Sequence, residues 1–361
     1  MSITTQPFGA AQLFVLENDR GMRVGITNYG GRIVSLFAPD RAGQFADVTL
    51  GFDSLDGYLA RNPYFGALIG RFANRIGGSA FKLNDVEYAI SPVEGKNTLH
   101  GGPHGFDKRF WKARVDDGRW TMDGHSSSSI VHRPSSLVLS YFSADGEEGY
   151  PGNLLATVTY TLDNANALTI SYDAVSDADT ICSLTNHAYF NLAGAGNGDV
   201  LGHELTLDAD AITAVRPDAI PTGELRPVAG TPFDFRRPRR IGADIADFGD
   251  EQIKLAGGYD HNFVLNNAGQ FARIGELYEP HSGRRMQVFS DAHGVQLYTG
   301  NKVGAGYAIT GKGGKTYGQF SALCLETQHF PDAINQPNFP SPILRAGDRY
   351  AQKTMWKFDA V

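Results

Sequence analysis

Two ionisable side chains in this 361-residue chain sit in apolar, strand-like surroundings. Glu326 ends a run, residues 320–325, that is apolar at nearly every position and lacks helical spacing. Such a run reads as a strand covered on both faces, and the loop beyond it is broken by Pro331. His187 ends a second run, CSLTNH (182–187), on the same face as Ser183 and Thr185. Burial disfavours a charged carboxyl and raises its pKa, which suits proton transfer near neutrality. A carboxylate with a histidine supplies a base and an acid of separable proton affinity. Each also has a plain structural reading taken singly: Glu326 as a loop cap or arginine partner, His187 as a hydrogen-bonded core histidine.

Other polar residues recur at strand ends: Asn74, Arg75, His100, Asp260 and Gln296. Alone, Asp260 fits a turn residue, Arg75 a surface ion pair and Gln296 a strand-edge partner. Together, with Tyr259, Phe330 and Phe339 as aromatic neighbours, they are what a pyranose site requires. Sugar hydroxyls need bidentate polar partners, and the C–H faces of the ring need aromatic surface. Acid–base chemistry on such a sugar needs no cofactor. A metal site has little support, since CxxC, HExxH and carboxylate-rich calcium loops are absent. His100 and His104 stand four apart, but the intervening GGP argues against a helix there. GKGGKT (311–316) ends like a phosphate loop, yet its first glycine would fall at Ile309, so the spacing fails. No GxSxG elbow is present.

The elements that must hold these residues are short strands. Alternating runs at residues 12–18, 22–29, 32–37, 137–142, 154–162, 167–175, 181–187, 205–215, 261–265, 285–290, 295–299 and 321–325 are punctuated by turns. That spacing reads as a β-sandwich or barrel. Residues 53–64 and 241–248 are the candidates for short helices. The serine-rich 126–129 and residues 133–136 read as a loop or hairpin tip. No hinge, repeat or composition break divides the chain, so residues 1–361 read as one domain. The fold class expected is all-β: a large antiparallel β-sandwich with few short helices. The 43 glycines, 15 tyrosines and 22 phenylalanines suit short strands and tight turns.

A net charge of −7 argues against a nucleic-acid or membrane-surface partner. No apolar stretch is long enough to cross a bilayer, and residues 1–10 lack a secretory pattern. Cys182 and Cys324 lie in apolar strand segments and read as reduced core thiols, which points to the cytoplasm. A monomer and a homodimer would read alike.

Seven segments then make a specific resemblance: GRFANRI (70–76), NTLHGG (97–102), DGEEGYPG (145–152), TNHAYFNL (185–192), GYDHNF (258–263), QLYTGN (296–301) and CLETQHFPDAINQPNFP (324–340). In this order they resemble the aldose 1-epimerase (galactose mutarotase) family, over most of the chain. The resemblance implies a galactose mutarotase-like supersandwich with a shallow sugar cleft. It implies that Glu326 takes the proton from the anomeric hydroxyl while His187 protonates the ring oxygen. The ring opens, the aldehyde end rotates, and the roles reverse on closure. Asn74, Arg75, His100, Asp260 and Gln296 match positions that hold the hydroxyls and ring oxygen of a monosaccharide. The serine-rich loop near Ser128 is longer than the family pattern, and Arg71 and Lys108 have no assigned role.

Two other functions compete. A non-catalytic sugar-binding or sensing module on the same fold would be expected to lose the acid–base pair, which this chain keeps. A hexose-6-phosphate 1-epimerase would want extra Arg or Lys at the C6 end. No such cluster lies within the matched segments, and RRPRR (236–240) is the nearest candidate.

Overall fold

The computed structural model describes all residues except 1, 61, 117, 122–129 and 133–134. The serine-rich segment expected as a hairpin tip lies for the most part outside the described residues. Three antiparallel sheets carry the fold. The largest has nine strands, centred on Leu154–Leu162, Ala167–Ser176, Arg349–Ala360 and Arg284–Ser290. Residues 2–47 form a five-stranded sheet. A second five-stranded sheet runs Pro221–Pro227, Ala209–Val215, Asp260–Leu265, Gly294–Tyr298, Cys324–Gln328. Inward side chains of all three merge in one apolar core, from Val24 and Leu36 through Leu139 and Tyr160 to Phe263, Leu297 and Trp356. Alternation makes this possible, because successive side chains leave a strand on opposite faces.

Several expectations shift. Glu326 lies mid-strand, not at a strand end, because pairing with Gly294–Tyr298 continues to Gln328. The expected strand 181–187 is two short pieces, Thr180–Ile181 and Thr185–His187, whereas 205–215, expected as one or two strands, forms two, Glu204–Leu207 and Ala209–Val215. One short helix falls where expected, Leu55–Leu59. The other does not: residues 241–243 make only a single 3₁₀ turn, and the α-helix is Glu251–Ala256. Asp250 decides that start, since its carboxylate caps the amides of Gln252 and Ile253. The twelve-residue strand Arg349–Ala360 went unread, although Gln352, Thr354, Trp356 and Phe358 alternate inward. Both cysteines are buried and free, as expected. No helix among the described residues is long and apolar enough to cross a membrane.

Arg71, unassigned from sequence, is a structural clamp. Its guanidinium donates to Ser143 Oγ and to the carbonyls of Ser143, Ala144, Pro151 and Gly152 at 2.8–2.9 Å. It therefore pins the DGEEGYPG loop beside the segment that carries Asn74 and Arg75. Gly101 completes this join: at φ +86 its missing Cβ would meet the Gly70 carbonyl oxygen at 1.9 Å. Arg71→Met strips partners from four carbonyls, three of them in buried bonds, and orphaned buried polar groups are costly. Stability should fall by about 3 kcal/mol, read as a lower urea midpoint; a loss below about 1 kcal/mol would contradict the clamp.

Candidate active site

The second five-stranded sheet has two unlike faces. His261, Phe263, Val295, Leu297 and Leu325 enter or border the apolar core. The opposite face carries Asp260, Asn262, Gln296, Tyr298, Cys324, Glu326 and Gln328, set side by side by the register Asn262↔Gln296↔Glu326 and Asp260↔Tyr298↔Cys324. A cavity of about 580 Å³ opens over part of this face.

From the sheet floor rises Glu326, 2% exposed. His187 comes from the strand Thr185–His187, which packs against Cys324–Gln328. Its Nε2 lies 3.6 Å from Glu326 Oε1. On its other side, His187 Nδ1 is 3.4 Å from Cys324 Sγ. The imidazole is stacked between Tyr189, 4.9 Å between centroids, and Tyr64, at 5.8 Å.

The cavity wall is a locked pair of loops. Asn74 N–H donates to His100 Nδ1 at 3.2 Å, and His100 N–H returns a bond to the Asn74 carbonyl at 2.9 Å. Asn74, His100 and Tyr64 all have positive φ, a region that is costly for non-glycine residues and frequent at functional sites. Arg75 bonds Glu94 through Nε at 2.8 Å and approaches Asp260 at 3.8 Å. Gln296 sits beneath Asp260, donating to its Oδ1 at 2.7 Å, and does not line the cavity itself. The structure thus brings all seven sequence-derived residues together, with Gln296 as the support under Asp260.

Burial dominates the electrostatics. It pushes Glu326 well above the usual carboxyl range, reinforced by Asp260 and opposed by Arg75. It pushes His187 down to about 3, and His100 well down, helped by His187 and Arg75. Burial works against the Arg75 charge too, but Asp260 and Glu94 outweigh it and hold the guanidinium ionised. Burial therefore favours a neutral Glu326–His187 pair holding one proton between them.

His100, His187 and Glu326 offer ligand atoms within 4.8 Å of one another. The hydrogen bonds speak against a metal there. His100 Nδ1 accepts from Asn74, so Nε2 carries the proton and points a donor, not a lone pair, at the cavity. That suits a sugar oxygen.

Sequence reasoning missed the aromatic sandwich and the outer wall. Tyr189 was findable, two residues beyond His187 on the same face; Tyr64 carried no signal. Lys108, unassigned from sequence, lines the outer cavity with its Nζ 3.4 Å from Asp107, which is also paired with buried Arg32.

The model of the aldose 1-epimerase family matches residues 12–357. The chain belongs to the aldose 1-epimerase family. Galactose mutarotase of Homo sapiens is 41% identical over 350 residues, covering 97% of this chain and 94% of that protein. Aldose 1-epimerase of Escherichia coli (strain K12) is 35% identical over 360 residues, 98% of this chain and 96% of that one. A solved aldose epimerase homologue from C. elegans superposes with a TM-score of 0.84 at 28% identity, covering 97% and 99% of the two chains. The fold is a large antiparallel β-sandwich of the galactose mutarotase-like kind.

Five imidazoles make stability acid-sensitive. Burial lowers His100 and His187, and takes His203, His261 and His329 each to about 4. Unfolded histidines bind protons below about pH 6.5, whereas these do not while folded. Their contribution is present above about pH 6.5 and is lost as pH falls toward 4. Each contributes up to about 1.4 kcal/mol per pH unit. Glu326, raised, acts oppositely: its contribution is present below about pH 4.5 and lost as pH rises through its folded value. Five outweigh one. Urea midpoints should drop steeply from pH 7 to 5; an unchanged midpoint would count against the buried-neutral state.

Proposed function

We propose that Glu326 and His187 are the acid–base pair by which this chain, an isomerase of the aldose 1-epimerase type, interconverts the α and β anomers of a free aldose. The observation that carries the assignment is the 3.6 Å approach of His187 Nε2 to Glu326 Oε1 on the cavity floor. The anomeric hydroxyl and the ring oxygen are borne on one carbon, so two groups this close can reach both. Glu326 as carboxylate takes the hydroxyl proton while His187 as imidazolium protonates the ring oxygen. The C1–O5 bond breaks and C1 becomes the aldehyde carbon. Rotation about C1–C2 presents the other face, and the two transfers run backward as the ring closes.

The proton count supports this reading. Carboxylate with imidazolium and carboxylic acid with imidazole hold the same single proton, so ring opening needs no exchange with solvent. Burial favours the second form, which is the state reached when the open-chain sugar occupies the site. Arg75, ionised and turned toward Asp260, supplies positive charge that eases formation of the first. Asn74, Arg75, His100 and Asp260 hold the sugar hydroxyls and ring oxygen, and Gln296 orients Asp260. Residues 1–361 act as one catalytic unit, and the buried free thiols fit a cytoplasmic setting, as monomer or homodimer.

The arginine cluster offers the cavity no phosphate site. Arg236 pairs with Asp234 and Asp210, and Arg239 with Asp244, in a groove whose lining shares no residue with the cavity. A binding-only module is disfavoured because both members of the pair are present and in reach of one another.

Polarimetry on α-glucose, α-galactose, xylose, arabinose and α-glucose 6-phosphate tests catalysis and ranks the sugars. Glu326→Gln should lower kcat by about 10²–10⁴, the range of a positioned acid or base, with circular dichroism unchanged. His187→Asn should lower kcat far more than it alters KM. Near-normal turnover in the glutamine variant would overturn the mechanism, and an effect confined to KM would move the acid role elsewhere.

A further inference from the structure

Behind Glu326 the polar face of the sheet continues past the cavity. Asn262 and Gln328 lie on it, 1% and 0% exposed, and neither lines the cavity. Among the described residues, both polar atoms of each amide lack a hydrogen-bond partner, as do Glu326 Oε2 and Gln296 Oε1. Six orphaned atoms on four residues of one sheet face are a great deal for an interior, where buried polar groups are almost always paired. They also complement one another: the amide nitrogens donate, and the carboxyl and amide oxygens accept. Apolar side chains of similar shape would pack this layer at less cost, so the amides need another reason to be there.

Gly294 shows what it is. It lies opposite Gln328 on one side and Val264 on the other. A Cβ at Gly294 would fall 2.3 Å from Asn262 Oδ1 and 2.9 Å from the Phe330 ring. Its backbone is not in the left-handed region, so conformation does not demand glycine here. Space does: the missing side chain lets the Asn262 amide lean out of its own row toward that of Gln328.

We propose that Asn262, leaning over Gly294, and Gln328 hold buried water against Glu326 Oε2 and are positioning residues for that carboxyl. Internal water typically makes about three hydrogen bonds to groups of this sort and is costly to remove. Held from behind through Oε2, Glu326 keeps Oε1 turned to His187 and the sugar. The bound water also solvates the carboxylate form, in a pocket that otherwise disfavours it. The groups with charge or a proton facing Glu326 are Arg75, Asp260, His187, His100, Tyr189 and, on its own strand, Cys324. The inference rests on Glu326 being a catalytic acid–base group.

The test combines three variants with one structure. Gln328→Met and Asn262→Leu each remove an anchor, and Gly294→Ala displaces the Asn262 amide. Each should lower the plateau of kcat/KM about tenfold and move its alkaline limb, where the pair loses its one proton, upward by about one pH unit, while KM changes less than about twofold. A high-resolution crystal structure of the unaltered protein should show ordered water within hydrogen-bonding reach of Asn262, Gln328 and Glu326 Oε2. Variants that fold but keep the pH profile in place would overturn the proposal. So would a dry layer in which the two amides pair with each other, a result that decides the matter even if no variant folds. Failure here is separable from failure of the mechanism: loss of activity in Glu326→Gln with an unmoved profile in Gln328→Met sinks only the positioning role.

Discussion

The structure depends on one costly arrangement: a β-sheet whose polar face is covered by protein. In most antiparallel sheets one face meets the core and the other meets water. Here the face bearing Asp260, Gln296 and Glu326 lies under the segments that carry Arg75, His100 and His187, so its carboxyls lose most of their hydration. Isolated buried charge is expensive enough that groups neutralise instead, which is what the shifts of Glu326 and His187 record. The exceptions are paired. Arg75 stays ionised because Asp260 and Glu94 flank it, and buried Arg32 is met by Asp107. Everything around the cavity follows from deciding, group by group, which charges are cancelled by protonation and which by a partner.

That division matches the chemistry required. A mutarotase must give a proton to one sugar oxygen and take one from another, then do the reverse. A pair with a single mobile proton and two states of equal net charge does this without importing an ion into the cavity. Tyr64 and Tyr189 flank the imidazole like plates, excluding water from a histidine that would otherwise titrate near neutrality. The same aromatic surface offers the ring C–H bonds of a sugar somewhere to lie.

The site was more legible in the sequence than the fold that builds it. Glu326, His187 and their five companions stand in compact motifs whose order along the chain carried the resemblance, and the structure sets six of them around one cavity with Gln296 beneath Asp260. Their local settings were less legible. Glu326 was read as a strand end because the apolar run stops before it, yet pairing proceeds through Thr327 and Gln328. A buried polar face breaks the usual link between polarity and the end of a strand. Gln296 gave no sign that it would lie under Asp260 rather than in the cavity. Arg71 looked idle because its partners are carbonyls 72 to 81 residues away, and carbonyls have no sequence signature. The last strand was missed although Trp356 and Phe358 alternate with lysines, since Lys353 and Lys357 masked the pattern. The helix expected at 241–248 failed because its cap, Asp250, lies beyond it.

Topology explains why the pair meets where it does. Cys324–Gln328 is the outermost strand of its sheet, and an open edge invites unwanted pairing. In this fold the segment Thr185–His187 covers it: Phe190 bridges to Leu323, the amide of His329 donates to Ser183 Oγ at 3.2 Å, and His187 reaches Cys324 and Glu326 between those anchors. The covering segment is thus held at both ends of the edge strand, which fixes its register. A slip of one residue would turn His187 away and present Asn186 or Ala188 instead. The same contact that protects an exposed edge therefore sets the distance between His187 and Glu326. A catalytic pair placed mid-sheet would need a loop to bring its partner; an edge strand already needs a cover, and here the cover carries the histidine.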